Sequence, residues 1–131
     1  MSPKSNARVL PLVYSCSGVS NMAQMANAIA LSLNRAKLAK MSCIAGVGGD
    51  VKGLVRLATS GRAIVALDGC PLQCVKSCLA RHGVEPDVHH VFTSFGLRKR
   101  ADAEYDPEEA AVVRERVVAS LAQLNEPLPV T

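Results

Sequence analysis

The sequence predicts an α/β fold: a small doubly wound parallel sheet of about four strands in the order 2-1-3-4, with helices on both faces in a three-layer αβα arrangement. Three observations predict it. Short apolar runs alternate with helical patterns along the 131 residues, and strands alternating with helices imply right-handed crossovers and a parallel sheet. Hydrophobic residues make up 49% of the chain and aromatics only 3%, with no Trp. The core is then built from Ala, Val, Leu, Ile and Met, which suits helices packed on a parallel sheet better than an aromatic-rich sandwich. No repeat, linker or low-complexity tract interrupts the alternation, and the length fits one domain over residues 1–131.

The elements follow in order. VLPLVY, residues 9–14, is a short buried strand, weakened by Pro11. After the turn SGVS, the residues Met22, Met25, Ala26, Ile29, Ala30 and Leu33 recur at helical spacing, with Ser20 or Asn21 as cap. A second short strand is expected near residues 40–44, broken by AGVGG. Asp50 then caps a helix carrying Val51, Leu54, Val55 and Ala58, which Gly61 ends. AIVAL, residues 63–67, is the third strand. Pro71 suits the first position of the next helix, which runs to about His82. HHVFTS holds the fourth strand. The last helix, about 107–124, starts with Asp106 as cap, then Pro107, Glu108 and Glu109. Its stripe is Ala110, Val113, Val117 and Leu121, and Pro127 and Pro129 mark its end.

Charge narrows the function classes. The formal net charge is +4 and the pI about 8.9. The one compact basic run, Arg98-Lys99-Arg100, has no interleaved aromatics and no basic helix face beside it, so it reads as a solvated loop. No nucleic-acid partner is expected. No stretch approaches the roughly 18 apolar residues of a membrane span. The polar opening MSPKSNAR lacks a secretory pattern, which predicts a cytoplasmic protein with reduced thiols. Five cysteines are also an odd number for a disulfide framework.

The cysteines are the chemistry. Cys16 follows strand 1, Cys43 lies at or near the end of strand 2, and Cys70 and Cys74 follow strand 3. In the order 2-1-3 these strands are neighbours, so four thiols converge on the carboxyl edge of the sheet, where doubly wound folds bind ligands. Helices 1 and 3 are expected to begin at that edge and to lower thiol pKa values through their N-terminal amides. Four thiolates suit one tetrahedral Zn²⁺ in a closed site with a structural, regulatory or carrier role. An iron–sulfur cluster has the same requirement. A thiol redox or sulfur-transfer enzyme using Cys70 or Cys16 is the other open reading. Cys78, a further turn along the helix beside Leu79, reads as core. His82, His89 and His90 fall away from the cysteines and are not expected to be ligands. Asp68 is expected to accept an N–H in its turn. Ser15, Ser17, Ser42, Lys52 and residues 98–100 lie in loops near the site. They are default loop residues, with hydrogen bonding to sulfur or charge compensation as the alternative. The expected partner is a metal ion, with a protein partner or a second copy left open.

Three motifs carry a resemblance. YSCSG (14–18), KMSCIAG (40–46) and above all DGCPLQC (68–74) resemble the DGC-domain family, in the right order and across about residues 9–100. The resemblance implies zinc binding through four chelating cysteines, here Cys16, Cys43, Cys70 and Cys74. It leaves Cys78 outside and supplies no reaction. A cysteine after strand 1 is also similar to the low-molecular-weight tyrosine phosphatases and the arsenate reductases of that fold. Their phosphate loop needs an Arg six residues later, where this chain has Met22. The phosphoryl-transfer machinery is therefore missing. GVGGDVKG, residues 46–53, does not give G-x-G-x-x-G and follows the wrong strand for a dinucleotide site.

Overall fold

The computed structural model describes residues 9–125. The elements run β1 (Leu12–Ser15), α1 (Asn21–Arg35), β2 (Lys40–Met41), α2 (Ile44–Gly48), α3 (Lys52–Ala58), β3 (Ile64–Asp68), α4 (Cys74–Ala80), β4 (Val88–Val91), a 3₁₀ turn (Phe92–Phe95) and α5 (Pro107–Asn125). The strands form one sheet in the order β2-β1-β3-β4. All three pairings are parallel, with Leu12 opposite Ile64, Val13 opposite Met41 and Asp68 opposite Val91. The predicted fold class and strand order are those of the structure.

Period-two alternation on buried strands divides the core in two. Val13, Val65 and Leu67 face α1, α5 and Phe92, packing on Met22, Met25, Ile29, Leu33, Val113, Val117 and Leu121. Leu12, Tyr14, Ile64 and Ala66 face the other way, onto Val47 of α2, Ala58 of α3, and Val75 and Leu79 of α4. Each face of the sheet is thus covered, and each helix buries one stripe. Among the described residues no helix is long and apolar enough to cross a membrane.

Several local expectations fail for identifiable reasons. The second strand is only Lys40–Met41, and Cys43, just past its end, is the N-cap of a short helix, α2. AGVGG does not interrupt the strand, which has already ended at Met41; Ala45–Gly48 belong to that helix and Gly49 is its C-cap. A side chain on Gly46 would overlap Leu54, and one on Gly48 would meet the Cys78 sulfur at 3.0 Å. The glycines let α2 pack closely on α3 and α4. Val51, not Asp50, is the N-cap of α3, and Asp50 adopts a left-handed φ of 64°. The fourth strand stops at Val91, where the chain turns into the 3₁₀ segment. Helix α4 starts at Cys74 rather than Pro71, after Gln73 at a left-handed φ of 53°. Pro127 and Pro129 lie outside the described residues.

Candidate functional site

The site sits where β1 and β3 end side by side and their chains leave for opposite faces of the sheet. Cys16 prolongs the β1–β3 ladder by donating its N–H to the Leu67 carbonyl at 3.1 Å. One residue beyond β3, the Gly69 N–H donates to the Cys16 sulfur at 3.2 Å. Gly69 is buried against α1: a Cβ there would stand 2.6 Å from the carbonyl carbon and oxygen of Met22. Only glycine lets the turn pass this close to the helix.

Asp68, at the end of β3, is buried. Its carboxylate accepts from the Val75 N–H at 2.8 Å and the Lys76 N–H at 3.3 Å. It also meets His89 Nε2 at 2.8 Å. A carboxylate that takes the first free amides of a helix does the work of an N-cap from a distance. Gln73, the N-cap by position, makes no side-chain cap bond. Asp68 therefore sets where α4, and with it Cys74, begins. Asp68 is expected to accept an N–H within its own turn; the donors are instead amides of α4. The His89 partner was not foreseen; β4 places His89 opposite Ala66, beside Asp68.

Cys16, Cys70 and Cys74 line one pocket of about 240 Å³, together with Val19, Leu72, Lys99 and Ala101. Cys16 and Cys70 are half-buried and Cys74 is exposed. The Lys99 ammonium donates to the Cys70 sulfur at 3.5 Å. The loop that brings Lys99 here is tied to the start of α1 by Asn21. Its amide donates from Nδ2 to the Arg98 carbonyl at 3.0 Å and accepts at Oδ1 from the Arg100 N–H at 2.7 Å. Cys43 is exposed and opens on a second pocket of about 410 Å³, with Leu31, Asn34, Met41 and Ser42. Cys78 is half-buried, between α4 and Gly48 of α2. His82 reaches the Val47 carbonyl and His90 the Ser120 hydroxyl, each at 2.9 Å.

The electrostatics differ from the expectation. Burial pushes the Cys16 thiol above its ordinary 9.0. The Gly69 N–H pulls the other way, and negative charge on Asp68, Cys74 and Cys70 adds to the rise. The helix amides expected to offset thiolate charge are engaged elsewhere. Ser20 Oγ accepts from Ala23 N–H, Asn21 Oδ1 from Met22 N–H, and Asp68 takes those of α4. The neutralising groups at sulfur are Gly69 N–H and Lys99.

The donor set fits a thiophilic metal ion in kind: three sulfurs line one pocket, and the fourth, Cys43, lies past the end of the strand beside β1. Among the described residues, no three of His, Cys, Asp and Glu stand together as a formed metal cage.

A parallel 2-1-3-4 sheet with cysteines gathered at its carboxyl edge around an Asp-Gly-Cys turn defines the class. The DGC-domain model matches residues 12–117, and the chain belongs to that family. It is 58% identical over 118 residues to the anaerobic and virulence modulator AnvM of Pseudomonas aeruginosa, an alignment covering 90% of this chain and 87% of that protein. No solved structure matches the chain.

Proposed function

We propose that this chain is a regulatory protein whose carboxyl-edge thiols bind one soft metal ion, zinc in the first instance. Cys16, Cys70 and Cys74 are the pocket ligands and Cys43 is the fourth. The carrying observation is that cysteines from two segments, far apart in sequence, line a single pocket at the ligand-binding edge of the sheet. Thiolates are the ligands that select zinc and other thiophilic ions. Two further facts support a regulatory role. The site lies where such folds usually bind substrates, and the relative AnvM is named a modulator. The reduced thiols this requires fit a cytoplasmic setting.

Elemental analysis of chain purified without chelators tests the reading. The expected result is about one zinc per chain, lost in Cys16→Ser, Cys70→Ser and Cys74→Ser, with bound zinc shielding those thiols from alkylation. Loss in Cys43→Ser completes the four-sulfur set. Retention there restricts the ligands to the pocket three and overturns the fourth. A colourless, metal-free protein with all thiols titratable overturns the proposal, and a brown chromophore replaces zinc with a cluster.

A further inference from the structure

Of the three sulfurs in the pocket, Cys70 is the one with a cation against it, Lys99 at 3.5 Å. Arg98 and Arg100 flank that lysine and are exposed. Among the described residues no carboxylate forms an ion pair with any of the three. Two large apolar side chains border the same pocket and are left in water: Val19 is 68% exposed and Leu72 is 70% exposed. Exposed leucine and valine facing a cavity beside unpaired cations suit a ligand with an apolar body and negative charge. The reactive atom such a ligand would meet is sulfur.

We propose that Cys70 is a thiol–disulfide exchange site selective for small anionic disulfides. The Cys70 thiol gives its proton to solvent and the sulfur attacks one sulfur of the bound disulfide. A new S–S bond forms to Cys70 and the old S–S bond breaks. The leaving thiolate carries away that bonding pair. The reagent is the oxidant: one of its halves is reduced to thiol and the other remains on Cys70 as a mixed disulfide. Steering by the Lys99 loop makes Cys70 react ahead of Cys43 and Cys74, although both are more exposed. The inference concerns the metal-free thiol and does not rest on the zinc reading. Metal content measured on the same preparation separates failure of one from failure of the other.

The test uses the full chain, reduced and freed of metal by chelation. Oxidised glutathione, which is anionic, and cystamine, which is cationic, are reacted briefly at low salt, quenched in acid and mapped by peptide mass. The ratio of Cys70 to Cys43 labelling within one sample cancels the intrinsic reactivity of each reagent. That ratio is expected to be about tenfold higher with glutathione disulfide than with cystamine, and to converge for the two reagents at high salt. Lys99→Glu is expected to abolish the preference while leaving Cys43 labelling unchanged. Lys99 is exposed, so the variant is expected to fold; if it does not, the salt dependence of the natural chain carries the test. Equal ratios for both reagents, or Cys43 or Cys74 labelled ahead of Cys70 by glutathione disulfide, overturn the proposal.

Discussion

The Gly69 N–H points at the Cys16 sulfur across 3.2 Å, joining the turn after β3 to the end of β1. A thiol that accepts a backbone amide is fixed in position before any ligand arrives. The bond is possible only because Gly69 presses against the first turn of α1. Position 69 therefore couples the packing of α1 to the placement of the half-buried Cys16 thiol.

Gly69→Ala tests that coupling. The added methyl would lie 2.6 Å from the Met22 carbonyl carbon and oxygen, which are helix backbone and cannot swing aside. Overpacking of this kind costs about 1–3 kcal/mol. Urea unfolding is expected to show a lower midpoint with an unchanged slope. Cys16 alkylation is expected to speed up as the amide moves off the sulfur. An unchanged midpoint would mean that the turn yields freely.

Asp68→Asn separates the helix-anchoring role of the carboxylate from its shape. The amide keeps one acceptor oxygen for three donors or donor sites: Val75 N–H, Lys76 N–H and His89. Leaving a buried donor unsatisfied costs about 1–3 kcal/mol. Hydrogen exchange is expected to accelerate first at Val75 and Lys76, with the sheet amides following only through the global loss. Uniform acceleration along the chain would show that α4 is anchored by its apolar face alone.

How far the site was legible follows from these residues. Strands β1 and β3 are covered on both faces, so their apolar runs stood out, and the stripe of α1 did so by its spacing. The strand order then placed Cys16 and Cys70 at one edge. What stayed hidden depended on contacts between elements. The glycines of AGVGG look like a break until Leu54 and Cys78 are seen against Gly46 and Gly48. Pro71 looks like a helix start until Asp68 is seen holding amides at Val75 and Lys76. Cys43 stands apart from the other thiols because β2 ends at Met41 and the chain turns at once into α2. The pairing of Asp68 with His89 spans 21 positions and emerges only once β3 and β4 are known to be neighbours. Lys99 could be named as a charge near the site, but not its partner sulfur.

His90 gives the fold a pH dependence of known sign. Burial lowers its pKa from the ordinary 6.5, and the neighbouring His89 lowers it further. The unfolded chain then binds a proton at a pH where the folded chain does not. The contribution to stability is complete above about pH 6.5 and is lost as pH falls through that value towards the depressed folded pKa. His90→Gln keeps a polar end for the Ser120 hydroxyl but cannot titrate. Unfolding midpoints measured at about pH 8 and about pH 5.5 are expected to differ less in the variant than in the natural chain. An identical difference in both would place the pH dependence elsewhere.

Asn21 is the residue on which the position of Lys99 depends. Its side chain holds Arg98 and Arg100 from either side of the lysine, and its own N–H donates to the Arg100 carbonyl at 3.1 Å. Asn21→Ala removes these two side-chain bonds and the one to the Met22 N–H, and keeps the backbone one. The chain from 98 to 103 then retains that bond, the 3.1 Å contact from Gln24 Nε2 to the Ala103 carbonyl and the Lys99 contact with the Cys70 sulfur. The expected loss in global stability is about 1–3 kcal/mol, because three buried or half-buried bonds go. The larger effect is local. Arg98, Lys99 and Arg100 are consecutive trypsin sites on an exposed loop, so brief digestion is expected to cut the variant there at least several-fold faster than the natural chain while the sheet remains intact. Asn21→Asp discriminates further. It preserves the acceptor for Arg100 N–H but loses the donor to the Arg98 carbonyl, so its cleavage rate is expected to lie between the two. If Asn21→Ala digests at the natural rate, the loop is held by its other contacts, and the approach of Lys99 to Cys70 does not depend on α1.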